Sequence, residues 1–173
     1  NLTSFSITWI CIIIKKSITL NSNTSIFYNR LGVIKRTQGD LDGACKMFKR
    51  ALFIEEQYEA NLNLCETYLE QRHPEAALAP GRRALALAPN AFVPHLRLAT
   101  ALRLVGKFNE ALAEVGEAKS LNPLSPDPYM ELTMSNIGAE KGEAALNAVV
   151  RALILAPDRL ENYFNLLGSL NIW

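Results

Sequence analysis

Apolar residues return along this chain in a rhythm that is helical at short range and periodic at long range. Phe27, Leu31 and Ile34 recur at spacings of four and three, one stripe along a helix predicted over Ile26 to Gln38. Gly39-Asp40 breaks it, and Leu41, Ala44, Cys45, Phe48, Ala51 and Leu52 then share one face of a second helix, Leu41 to Ile54. The stretch Ala111 to Pro123 has a skeleton of Ala111, Val115, Ala118, Leu121 and Pro123, and 34 residues on it returns as Ala145, Val149, Ala152, Leu155 and Pro157. A step of 34 back gives Ala77, Gly81, Ala84, Leu87 and Pro89, and a further step of 33 gives Ala44, Phe48, Ala51 and Ile54. Leu31, Leu64, Leu98, Leu132 and Leu166 keep the same time. Self-similarity at a fixed period near 34 predicts an array of helical hairpins.

The array divides into four full units, residues 25–57, 58–91, 92–125 and 126–157. Residues 1–24 are expected to hold the second helix of an earlier repeat, roughly Phe5 to Leu20, and 158–173 the first helix of a further one. The expectation is about ten helices in antiparallel pairs, with no strands, in what reads as a piece of a longer protein or an incomplete gene model. Small residues such as Ala44 and Ala51 let paired helix axes approach closely. Pro74 suits the opening turn of a second helix. Pro80 falls inside that helix, where a proline forfeits a hydrogen bond and is expected to kink it, at about 3 kcal/mol. In the fourth unit the first helix is expected to end near Gly138.

These residues resemble the tetratricopeptide repeat (TPR), a helix-turn-helix unit of 34 residues. Tyr28-x-x-Leu31-Gly32, Gly39-Asp40 and Ala44-x-x-x-Phe48-x-x-Ala51 carry the likeness, as do Leu98-Ala99-x-x-Leu102, Gly106-Lys107-Phe108, Ala111, Ala118 and Pro123. It covers residues 25–157, with departures at Glu56 (for proline), Gly81 (for a bulky residue) and Glu140 (for glycine). One hairpin cannot bury its own apolar face, so each unit packs on the next. The resemblance implies an all-α fold, a right-handed superhelical solenoid of antiparallel helix pairs. First helices would line a concave groove that holds a peptide or helix from a protein partner.

Carrying the family geometry over places Ile26, Asn29, Arg30, Val33 and Arg36 toward the groove in the first unit. Glu59, Leu62, Asn63, Glu66 and Glu70 follow in the second, then Val93, Leu96, Arg97, Thr100 and Arg103, then Asp127, Met130, Glu131 and Met134. The candidate peptide-binding set is Asn29, Arg36, Leu62, Asn63, Glu66, Arg97, Thr100, Arg103 and Met130. Asparagine offers an acceptor and two donors to a peptide backbone, and arginine forks onto a carboxylate. The carboxylate clamp of chaperone-binding TPR proteins is not matched. Asn63 and Arg97 suit two of its five places, while Asn29, Val33 and Val93 stand where lysine, asparagine and lysine are expected. The asparagine ladder of O-GlcNAc transferase-type arrays keeps only Asn63 and Asn165. What remains is a groove of alternating sign, basic in the first and third units and acidic in the second and fourth. A plainer reading pairs Arg30, Glu66, Arg97 and Glu131 along adjacent helices as ordinary solvated surface.

Composition changes this picture little. Apolar residues make up 49% and charged residues 20% of 173, with a net charge of +1 and no basic stripe, so no nucleic-acid partner is expected. Cys11, Cys45 and Cys65 are odd in number and widely spaced, which favours small buried hydrophobes over disulfides or zinc. The apolar run Trp9 to Ile14 is too short to span a bilayer. His73 beside Pro74 is expected in solvent and His95 half-packed, neither at metal-ligand spacing from a partner. No phosphate loop and no nucleophile–base arrangement stands out. The reading is a non-enzymatic interaction scaffold without cofactor, cytoplasmic in residence. The alternatives are an adaptor portion of a larger enzyme such as a glycosyltransferase, and a homo-oligomer joined through uncapped apolar ends.

Overall fold

The computed structural model describes Ile12 and residues 24–159. Among these, eight α-helices follow one another with no strand: α1 (Ser25–Thr37), α2 (Leu41–Ile54), α3 (Tyr58–Glu70), α4 (Pro74–Leu87), α5 (Phe92–Leu104), α6 (Phe108–Leu121), α7 (Asp127–Gly138) and α8 (Gly142–Leu155). A single 3-10 turn, Pro157–Arg159, comes after α8. Apart from Ile12, the helix expected over Phe5 to Leu20 and the one expected beyond Arg159 lie outside the described residues. The chain divides into two compact units, Asn1–Pro89 and Asn90–Trp173, and each holds two of the described hairpins.

Every hairpin closes in the same way. After α1 the amide of Gly39 donates to Arg36 O and that of Asp40 to Lys35 O, both at 2.9 Å. Arg72 and His73 repeat the pair after α3, Gly106 and Lys107 after α5, and Glu140 and Lys141 after α7. This crossed pair satisfies the last carbonyls of a helix and needs one left-handed residue. Gly39 and Gly106 supply it with φ of 81° and 79°, but Arg72 and Glu140 adopt φ of 61° and 58° without being glycine. The departure noted at Glu140 thus keeps the turn, and Arg72 holds the same place two repeats earlier. Asp40 also caps α2, its carboxylate accepting from the amide of Gly43 at 2.9 Å.

In the unit Asn1–Pro89 the core forms around Phe48, fully buried with Ala44, Cys45 and Leu64, and flanked by Val33, Leu52 and Tyr68. Full burial of such a ring is worth roughly 1.5–3 kcal/mol. The ring lies so close to Gly32 that a β-carbon there would collide with it. The contact fixes how near α1 and α2 run. Pro80, expected to kink α4, is buried within an unbroken helical span, with Gly81 buried beside it.

In the unit Asn90–Trp173, Leu98, Ala99 and Leu102 of α5 are buried, as are Ala111, Val115 and Ala118 of α6. Val149 and Ala152 of α8 form a second apolar centre against Tyr129, Met130 and Leu153. Gly138 ends α7 where the Phe108 ring leaves no room for a β-carbon. Repeat-spaced alanines (Ala44 and Ala51, Ala77 and Ala84, Ala111 and Ala118, Ala145 and Ala152) are buried in all four second helices.

Candidate peptide-binding face

First helices lie side by side in each unit, α1 with α3 and α5 with α7. Their facing sides carry most of the residues singled out from the sequence. In the unit Asn1–Pro89, the Asn63 side-chain amide donates to Asn29 Oδ1 at 3.0 Å. Arg36 Nη1 donates to Glu66 Oε2 at 2.8 Å, and its Nε lies 3.8 Å from Glu70 Oε1. The Arg36 and Glu66 side chains are each 20% exposed, so the pair is partly withdrawn from water. Leu62 is half-buried beside them, and Arg30 and Ile26 are exposed on α1.

A comparable arrangement, with the glutamate at a different repeat position, is built in the unit Asn90–Trp173. Arg103 Nε donates to Glu131 Oε1 at 2.5 Å, and the Thr100 hydroxyl lies 3.1 Å from Glu131 Oε2 and 3.0 Å from Leu96 O. Both oxygens of Glu131 are thereby engaged. The Arg103 and Glu131 side chains are 16% and 11% exposed, deeper than the first pair. Arg97 is partly buried on the same helix as Thr100 and Arg103.

Three expectations change here. Glu66 and Glu131 are not open acidic groups in a groove of alternating sign, because Arg36 and Arg103 occupy them. Leu96 turns into the core at 6% exposure. Met130 packs against Val149 and Ala152 within its own hairpin. Repeat register places a residue on a helix face, but the length of an arginine side chain decides which carboxylate it reaches.

Other side chains match or extend the sequence reading. His95 is buried rather than half-packed, its Nδ1 2.7 Å from Glu114 Oε2, and His73 is exposed as expected. Cys45 and Cys65 are free and buried, and burial pushes the Cys45 thiol above its ordinary range. Glu56, the residue standing in for proline, pairs with Arg83 of α4, and that guanidinium holds its carboxyl below the usual range. Beside it, Glu55 accepts from the Ser25 hydroxyl at 2.6 Å and from Gln57 at 2.8 Å, and these bonds lower it likewise. These contacts link the α2–α3 connection to α1 and α4, and repeat spacing gives no sign of them. Among the described residues, no group of three or more His, Cys, Asp or Glu could hold a metal ion. Nor is any described helix long and apolar enough to cross a membrane.

No protein-family model and no curated protein sequence matches this chain. Solved structures do. YrrB, a TPR protein with an unusual peptide-binding site, superposes with a TM-score of 0.82 at 21% identity, over 91% of this chain and 82% of that one. A MamA structure gives 0.81 at 18% identity, over 92% and 94% of the two chains. MamA from Desulfovibrio magneticus RS-1, residue 41 to its end, gives 0.83 at 16% identity, over 91% and 90%. The fold is that of the tetratricopeptide repeat proteins, as the residues of the hairpins suggest.

Proposed function

We propose that this chain is a non-catalytic scaffold that binds a peptide segment of a protein partner along the first-helix face. The observation that carries the reading is the Asn63 carboxamide. Its bond to Asn29 fixes its plane, while its Oδ1 keeps no partner among the described residues. A pre-oriented amide of this kind binds a peptide backbone at low cost in side-chain freedom. The ion pair of Arg36 with Glu66 holds α1 and α3 in register around it, and half-buried Leu62 offers an apolar neighbour. The peptide-binding site of YrrB lends the reading support by fold alone.

The test is affinity capture from source lysate, comparing the wild type with an Asn63→Ala/Arg97→Ala double variant of unchanged helical circular dichroism. A protein held by the wild type and lost by the variant, through a segment that binds as a synthetic peptide, is the expected result. Equal capture by both proteins would remove the first-helix face from consideration.

A further inference from the structure

A cleft of 530 Å³ opens between α7 and α8 in the unit Asn90–Trp173. It is of the size that peptide side chains and small ligands occupy. Tyr129 and Leu132 of α7 and Ala144 and Ala148 of α8 supply apolar walls, with Asn147 and Arg151 beside them. The Tyr129 hydroxyl donates to Pro123 O at 3.3 Å, which ties down the ring. None of the residues assigned to the first-helix face lines this cleft.

Arg151 gives the cleft its chemistry. Arg36, Arg83, Arg103 and Arg159 each meet a carboxylate, but Arg151 is exposed and has no ion-pair partner among the described residues. Apolar walls favour a large hydrophobic group, and an unmatched guanidinium favours a carboxylate in fork geometry next to it. We propose that this cleft is a second docking site, for a partner peptide with a bulky apolar side chain beside an aspartate or glutamate. The apolar side chain enters between α7 and α8, and the acidic one pairs with Arg151. The proposal stands apart from the first-helix reading, since it uses different residues of α7 and a helix that reading does not involve.

Selection from a randomised display library of linear peptides against the whole chain provides the probe. Enriched peptides are expected to carry Phe, Trp, Leu or Ile within two positions of Asp or Glu. Their affinity should fall about tenfold or more in Arg151→Glu. A similar loss is expected in Ala144→Trp, where an exposed position lets the indole cover the cleft without entering the core. Replacing the peptide's acidic residue with lysine should restore binding to Arg151→Glu, and Asn63→Ala/Arg97→Ala should bind as the wild type does. Circular dichroism checks that each variant is folded. Enriched peptides without acidic residues, or equal affinity for wild type and both cleft variants, would overturn the proposal. So would a concentration-dependent dimer that Arg151→Glu dissolves, because the cleft would then hold a second copy of this chain.

Discussion

Arg36 and Arg103 stand at the same place in their repeats, and each reaches from one first helix to a glutamate of the next, Glu66 at 2.8 Å and Glu131 at 2.5 Å. The acceptors do not share a repeat position, so the two ion pairs are separate solutions to one problem. Both tie neighbouring hairpins together on the face proposed to bind.

Removing one member should therefore hurt more in the deeper pair. Arg103→Leu leaves a nearly buried carboxylate with Thr100 as its remaining donor, and is expected to lower stability by about 2–3 kcal/mol. Arg36→Leu, in the more hydrated pair, should lower it by about 1 kcal/mol. Urea unfolding of the single variants, and of the Arg103→Leu/Glu131→Leu double variant, measures this. A double variant closer to wild type than either single one identifies the unpaired charge as the cause.

At the hairpin corners the sign reverses. Glu140 and Arg72 hold a backbone conformation that favours glycine, with φ of 58° and 61°. Glu140→Gly and Arg72→Gly should each raise stability by about 0.5–1 kcal/mol. Gly106→Ala should lower it by about 1 kcal/mol. Thermal melts at one pH decide among these, and unchanged melting temperatures in all three would mean that the corners bear no strain.

Helical glycines divide into two groups. A methyl group at Gly32 or Gly138 would overlap the rings of Phe48 and Phe108, whereas at Gly116 it meets nothing within 4 Å. Gly32→Ala and Gly138→Ala are expected to destabilise by about 1–3 kcal/mol. Gly116→Ala should stabilise by about 0.5–1 kcal/mol through helix propensity. Denaturant midpoints compared across the three variants test the contrast.

Acid should loosen the unit Asn1–Pro89 through exposed carboxylates. Asp40 is held below its ordinary range by the Lys35 ammonium and then by the Gly43 amide, Glu55 by Ser25 and Gln57, and Glu56 by Arg83. Each folded value lies below the unfolded one. The stability they contribute is therefore complete above the unfolded carboxylate range and is lost as pH falls through the folded values. Urea unfolding at a series of pH values from neutral to acid, for the wild type and an Asp40→Asn/Glu55→Gln/Glu56→Gln variant, should give a shallower acid slope for the variant.

Much of the fold is legible because hairpins depend on short-range patterns. Leu41 to Ile54 as one helix, Pro74 as an opening residue and Gly138 as an end all follow from apolar spacing and backbone chemistry. The left-handed turn at Arg72 is hidden, since no glycine marks it. At the candidate face, the sequence places Asn29 and Asn63 on helices that adjoin, but not in contact with each other. The ties from Arg36 to Glu66 and from Arg103 to Glu131 depend on side-chain reach between helices, which no repeat period encodes. Leu96 and Met130 show the same limit, because a turn of less than one residue separates a groove position from a packed one.

Corners closed by amide and carbonyl groups leave their side chains idle. Arg72 and Glu140 are exposed while their backbones complete the turn, so the protein already carries two unlike side chains there. A cysteine placed at either corner would accept a fluorophore or spin label without disturbing a helix. Distances from such a label could then report the flexing of each hairpin as a partner binds.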